Sequence, residues 1–225
     1  MASELRAPLR PVNHRLDLPE AIDLNAAALS ASTQAIRKAF ADSVAAKRTF
    51  LREHATTVAA VADLLVTRFS EGSKLLLFGN GGSAADAQHI AAEFVNRFVV
   101  ERPPLPAIAL TTDTSALTSI ANDYSYDEIF AKQVRALGKP GDVALAFSTS
   151  GTSPSVLRAV TECQRLGIHT VGLTGGTGGK LRGMVDHWLN VSASRETARI
   201  QETHILIGHV ICQLVDTALY GGKKK

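Results

Sequence analysis

Cysteine is scarce in this chain, with two residues, Cys163 and Cys212, among 225. Both lie in apolar patterns typical of helices, where buried free thiols are common. Two thiols in a chain of this length do not supply a disulfide framework. The chain is long enough to bury a core without one, so the sequence predicts a domain stabilised by its hydrophobic interior.

Long apolar runs are also absent, since no stretch reaches the roughly 18–20 residues of a membrane-spanning helix. The N-terminal segment carries Arg6, Arg10 and Arg15, but no apolar run follows them, so no signal peptide is expected. The net charge of +3 is small, and no basic run is interleaved with aromatic residues as in nucleic-acid-binding surfaces. We therefore expect a cytoplasmic protein without nucleic-acid or membrane partners.

Periodic patterns divide the chain into three parts. Residues 1–22 show no clear periodicity and are expected to form a loose arm, while residues 221–225 are expected to form a disordered lysine tail. Residues 23–220 are expected to form a single domain. Its first part, residues 23–69, is Ala-rich with apolar residues at three-to-four spacing, which predicts two helices separated by a break at residues 41–45.

Five short apolar runs follow, each closed by Gly, Ser or Asp and succeeded by a helical pattern. Runs of about five apolar residues have the length of buried strands. Strands that alternate with helices predict right-handed crossovers and a parallel sheet. The sequence therefore predicts an α/β fold with a final helix at 195–219 and a five-stranded parallel sheet whose strands lie at 74–78, 107–110, 143–147, 170–173 and 187–191.

Two strand-to-helix junctions are rich in groups that can hold a phosphate. Residues 78–83 contain three glycines that let the backbone approach an anion, and Ser83 is expected to cap the following helix. Residues 148–153 supply five hydroxyls and a glycine. Each could equally be a plain turn, but the pair favours a phosphate monoester over a nucleotide, because neither carries the lysine of an ATP-binding loop. A third Gly-rich stretch, residues 174–179, is expected to be a flexible connection.

Two pairs of potential metal ligands occur at helical spacing. His89 and Glu93 are four residues apart, and Gln201 and His209 are eight apart, so each pair shares one face of its helix. If the two helices meet, two imidazoles and a carboxylate suit zinc. On spacing alone, ordinary half-buried histidines and a solvated acid fit the same pattern, and both interpretations stay open.

These groups match the needs of an aldose–ketose isomerase. Such an enzyme requires a base that moves a proton between adjacent carbons, an acid or metal at the carbonyl oxygen, and an anchor for the phosphate. Glu93 can serve as the base, His209 as the partner acid/base, and the two junctions as the anchor.

Several motifs resemble the phosphoheptose isomerase family, in register from about residue 70 to residue 219. They are residues 79–89, the turn at Arg102 and Pro103, and residues 121–124, 147–151 and 199–204. The resemblance implies a SIS-domain fold whose N-terminal helices pack in a homotetramer with active sites between subunits. It implies conversion of sedoheptulose 7-phosphate to D-glycero-D-manno-heptose 7-phosphate, the entry to heptose biosynthesis for lipopolysaccharide or capsule.

The resemblance also implies a role for individual residues. Glu93 would be the general base and His209 the second acid/base, and one Zn²⁺ per subunit would be held by His89, Glu93, Gln201 and His209. The family's substrate contacts match Asn80, Gly81, Gly82, Glu93, Asn122, Asp123, Ser148, Thr149, Ser150, Ser153 and Gln201, and Ser83 and Arg97 fall at phosphate-facing positions. Ala198 departs from the pattern, because some members carry an acid there.

Two other functions are compatible with the same motifs. A regulatory branch of the family binds the replication initiator DnaA without catalysis, but that branch lacks an acid at the position of Glu93, which this chain keeps. An isomerase acting on another sugar phosphate would use the same loops, so substrate testing has to separate it from the first function.

Overall fold

The computed structural model describes residues 30–221, so the expected N-terminal arm and residues 222–225 of the expected lysine tail lie outside the described part. The chain divides into a short unit that ends at Arg37 and a main unit of residues 38–225. Across the described range, no helix is both long and apolar enough to cross a membrane.

Helix α1 runs without interruption from Ala31 to Ser70. The expected break at residues 41–45 is wrong. Nothing in this segment terminates a helix, because it contains neither glycine nor proline and is rich in alanine. Within the main unit, Val58, Val61, Leu65 and Phe69 of α1 enter the hydrophobic core at three-to-four spacing.

The predicted five-stranded parallel sheet is confirmed. Its strands are β1 (Leu75–Gly79), β2 (Ala107–Ala109), β3 (Val143–Ser148), β4 (His169–Gly175) and β5 (His187–Val191). Every pair is parallel and the strand order is β2-β1-β3-β4-β5. The remaining helices are α2 (Gly82–Val95), α3 (Thr114–Asp123), α4 (Ile129–Leu137), α5 (Pro154–Arg165) and α6 (Thr197–Tyr220), with short 3₁₀ helices at Tyr126–Glu128 and Leu181–Gly183.

The sheet separates two hydrophobic clusters because successive strand side chains point to opposite faces. Leu75 and Leu77 of β1 face the cluster that includes α1, α2 and α6. Leu76 and Phe78 face the cluster that includes α4 and α5. Both faces are covered, which explains why the strands read as continuous apolar runs rather than alternating ones.

The strand order fixes where ligands can bind. The chain leaves β1 toward β2 on one side, whereas β3, β4 and β5 lie on the other, so the topological switch point falls between β1 and β3. Gly79 pairs in register with Phe147 at the carboxyl ends of these two strands. The loops after β1 and β3, which are the two predicted phosphate-binding junctions, are therefore neighbours.

Candidate functional site

The loop after β1 leads directly into α2. Gly81 is the N-cap residue, with φ 57°, and no side chain caps the helix. The expectation that Ser83 caps α2 is wrong, because the helix begins one residue earlier, at Gly82. Ser83 is instead buried in the first turn, with its backbone N–H donating to the Asn80 carbonyl oxygen at 3.0 Å. The glycines leave the N–H end of the helix open to an anion.

The loop after β3 is organised by its own hydroxyl groups. The buried Ser148 Oγ accepts from the Gly151 N–H at 3.1 Å. The exposed Ser150 Oγ accepts from the Thr152 N–H at 3.2 Å. Ser153 is the N-cap residue of α5. The loop thus presents hydroxyls and a second helix N-terminus beside the first loop.

Asn80 joins the two loops. Its Nδ2 donates to Ser153 Oγ at 2.8 Å and to Ser155 Oγ at 2.9 Å, and its Oδ1 accepts from Tyr126 Oη at 2.9 Å. Ser155 and Tyr126 were not predicted from the sequence. Ser155 repeats the serine two positions earlier and could have been found, whereas Tyr126 reaches Asn80 only through the path of the chain after α3. The network fixes which way the Asn80 amide points.

The third Gly-rich stretch supports the second loop. The expectation of a flexible connection is wrong, because the Gly175 N–H donates to the Thr149 carbonyl oxygen at 3.0 Å and the Leu181 N–H donates to that of Gly151 at 2.9 Å. A Cβ on Gly151 would overlap the Gly178 backbone. The two backbones approach so closely that only glycine fits at this contact.

Gly151→Ala is therefore expected to destabilise the fold strongly and to weaken substrate binding, raising KM. Gly151 has φ 65° and no room for a Cβ, whereas Gly72 has φ 82° with open space around it. Gly72→Ala serves as the matched control, because it carries only the left-handed conformational penalty of about 1–2 kcal/mol. Urea unfolding measures both variants, and equal free-energy losses would show that the Gly151–Gly178 contact contributes nothing.

Three potential metal ligands converge where α2 packs beside α6. The candidate ligand atoms of His89, Glu93 and His209 all lie within 4.8 Å of one another. His89 Nε2 is 2.8 Å from His209 Nε2 and 3.2 Å from Glu93 Oε1. The ring of Phe98 stacks on the His209 imidazole at 5.4 Å between centroids. The structure thus brings together three side chains from two separate helices. All three are among the metal ligands that the sequence analysis proposed.

The other predicted site residues lie on different elements and are not all beside these loops. The Gln201 side chain lies against Gly82, close enough that a Cβ there would overlap its amide. Arg97 follows α2 and forms an ion pair with Glu101 at 3.5 Å. The exposed Asn122 Nδ2 donates to Asp123 Oδ1 at 2.9 Å near the end of α3.

Ala198 lies exposed in the first turn of α6, a helix that begins without a side-chain cap.

Burial shifts the pKa of two groups close to these elements. It raises the pKa of Asp86, one turn before His89 on α2, to about 6, with an opposing effect from His89. Burial also lowers the pKa of His204 on α6 to about 4. The contact of its Nε2 with the Thr174 carbonyl oxygen at 3.0 Å acts in the opposite direction and raises the pKa. His204 is therefore a neutral side chain of the core at pH 7.

Comparison with known proteins agrees with this geometry. The SIS domain model matches residues 39–175. A phosphoheptose isomerase from Thermodesulfovibrio yellowstonii is 51% identical over 193 residues, which cover 84% of this chain and 96% of the relative. This chain belongs to the phosphoheptose isomerase family.

Solved structures of the phosphoheptose isomerase family share the fold of this member. The enzyme from Neisseria gonorrhoeae superposes with a TM-score of 0.78 at 44% identity, covering 83% of this chain and 99% of that one. The Francisella tularensis structure gives a TM-score of 0.80 at 41% identity, and the match covers 84% of this chain and 100% of that one. Both family members match essentially along their whole length, so the fold of this chain is the fold of the family.

Proposed function

We propose that this protein converts sedoheptulose 7-phosphate to D-glycero-D-manno-heptose 7-phosphate in the cytoplasm, as the entry step of heptose biosynthesis for lipopolysaccharide or capsule. The placement of helix α2 carries this proposal. Its N-terminus opens onto the phosphate-binding loops, and its later turns carry His89 and Glu93. One helix thus links a phosphate anchor to His89 and Glu93, which lie about 10 and 16 Å further along its axis.

The chain's own residues can perform the proton transfer. Glu93 removes a proton from C1, the carbon beside the C2 carbonyl, and returns it to C2, while His209 moves a proton from the C1 hydroxyl to the C2 oxygen. Glu93 Oε1 faces His89 at 3.2 Å, which leaves the second carboxylate oxygen for the proton. The loop residues Ser148, Thr149, Ser150 and Ser153, with the N-terminus of α2, hold the phosphate and orient the sugar.

The donor set fits a divalent metal. Two imidazole nitrogens 2.8 Å apart and a carboxylate oxygen beside them are the ligand types of a zinc site. His89, Glu93 and His209 would hold the ion, with Gln201 as the fourth ligand that the family resemblance implies. Bound zinc would supply Lewis-acid polarisation of the substrate's carbonyl oxygen.

A homotetramer with active sites between subunits fits the exposed apolar surface. Phe40, Val44 and Leu51 of α1 are 71%, 46% and 62% exposed, and Leu206, Val210 and Leu214 form an exposed stripe at spacing of four along α6. Contiguous apolar surface of this kind marks interaction sites. Light scattering is expected to give about four times the 23.9 kDa of one chain, and a monomer mass would contradict the assembly.

Direct assay tests the proposed reaction. Incubation of the purified protein with sedoheptulose 7-phosphate is expected to yield the aldoheptose phosphate, followed by NMR. Unphosphorylated sedoheptulose should not compete, because the loops recognise the phosphate. No conversion by folded, zinc-loaded protein would contradict the proposal. It would favour another sugar phosphate or the DnaA-binding regulator, although the regulatory branch lacks the acid that Glu93 provides here.

A further inference from the structure

A buried ion pair connects the same two helices that carry the metal ligands. Arg102 and Asp216 have side-chain exposures of 0% and 1%, and Arg102 Nε donates to Asp216 Oδ1 at 2.5 Å. Asp216 lies on α6, seven residues after His209. Seven residues are two helical turns, so both side chains share one face of α6, about 10 Å apart along its axis.

Arg102 also binds the C-terminal end of α2. Its Nη2 donates to the Glu93 carbonyl oxygen at 2.9 Å and its Nη1 donates to that of Phe94 at 2.8 Å. The last four carbonyls of a helix have no partner within the helix and carry partial negative charge, so a guanidinium satisfies them well. The residue whose main chain Arg102 holds is therefore Glu93 itself, the carboxylate of the metal triad.

Stability alone does not account for this pair. Buried ion pairs can often be replaced by apolar side chains without loss of stability, because the desolvation of two charges offsets their attraction. Here Asp216 Oδ2 is also buried without a hydrogen-bond partner among the described residues, which makes the arrangement still less favourable. The pair instead connects the Glu93 carbonyl oxygen to α6 through the hydrogen bonds of the Arg102 guanidinium.

We propose that Arg102 and Asp216 are positioning residues that set the distance between Glu93 on α2 and His209 on α6, and so the affinity of the triad for its metal. This inference rests on the proposed metal site. Removal of residues that hydrogen-bond to metal ligands and orient them typically weakens metal binding by about 10- to 100-fold.

The decisive variant is the double substitution Arg102→Met with Asp216→Leu, accompanied by Asp216→Asn. The double variant removes both charges, so no unpaired charge is left in the core and the protein is expected to fold. Asp142→Asn is the matched control. Asp142 is 2% exposed and pairs with Lys74, and its hydrogen bonds go to Lys74, Lys139 and His169, none of which lies on α2 or α6.

Zinc affinity is measured by competition with a chromophoric chelator, and stability by urea unfolding of the same samples. We expect both Asp216 variants to bind zinc at least about 10-fold more weakly than the unsubstituted protein. Asp142→Asn should keep its zinc affinity even where its unfolding midpoint falls. A double variant that binds zinc within about twofold of the unsubstituted protein would overturn the positioning role.

A second readout separates this inference from the metal proposal. If the unsubstituted protein takes up no zinc, the metal proposal fails, and the imidazole NMR signals of His89 and His209 then decide the positioning role. Their Nε2 atoms are 2.8 Å apart, so a change in the spacing of α2 and α6 must alter both signals. Signals that move in the double variant but not in Asp142→Asn support the inference, and unmoved signals refute it.

Discussion

Glu93→Gln is expected to lower turnover by about 10²- to 10⁴-fold while the protein stays folded. Glutamine has nearly the same shape but cannot accept the substrate proton at neutral pH. Glu93 is only partly buried, with a side-chain exposure of 23%, so loss of its charge leaves no unpaired buried group. The rate of aldoheptose phosphate formation, measured at saturating substrate, checks this expectation.

Glu162→Gln is the matched control for the general base. Glu162 has a similar side-chain exposure of 18%, but it lies on α5 in ion pairs with Arg135 and Arg165. Surface ion pairs of this kind contribute about 0–1 kcal/mol, so this variant should retain its activity. Zinc content is measured for Glu93→Gln as well, because an amide can remain a ligand. Turnover near that of the control would remove Glu93 from the role of base.

Removal of the metal is the second change with a large expected effect. The protein as purified should contain about one zinc ion per subunit, and a chelator should abolish activity that added zinc restores. His89→Ala should weaken zinc binding by more than the roughly 10- to 100-fold expected for loss of an orienting partner, because it deletes a ligand. Metal analysis and the isomerase assay on the same samples check both effects.

His169→Ala controls for loss of a partly exposed histidine away from the triad. His169 is the first residue of β4, at the amino-terminal edge of the sheet. Its substitution should leave zinc content and activity unchanged. Metal-free protein with full activity would refute a catalytic metal, while retention of zinc by His89→Ala would show that this imidazole is not a ligand.

The central strands could be predicted closely because they are buried on both faces. A strand buried on both faces is a short apolar run whatever surrounds it, and the predicted run 143–147 lies within the fully buried β3 (Val143–Ser148). The predicted helix break at residues 41–45 was wrong because no residue there stops a helix. A helix ends where capping groups or helix breakers stand, and this segment has neither glycine nor proline.

The sequence by itself determined the chemical inventory of the site and the order of its elements. The two candidate phosphate junctions and the ligand pairs on α2 and α6 are local patterns that depend only on neighbours along the chain. On spacing alone they remained open to a plain structural interpretation, and the resemblance to the family made them a predicted site. Tertiary structure decided which groups meet. The approach of His89 to His209, the contact of Gly151 with Gly178, and the Arg102–Asp216 pair join residues far apart in the chain. Strand order and helix packing set these contacts, and no local pattern encodes them.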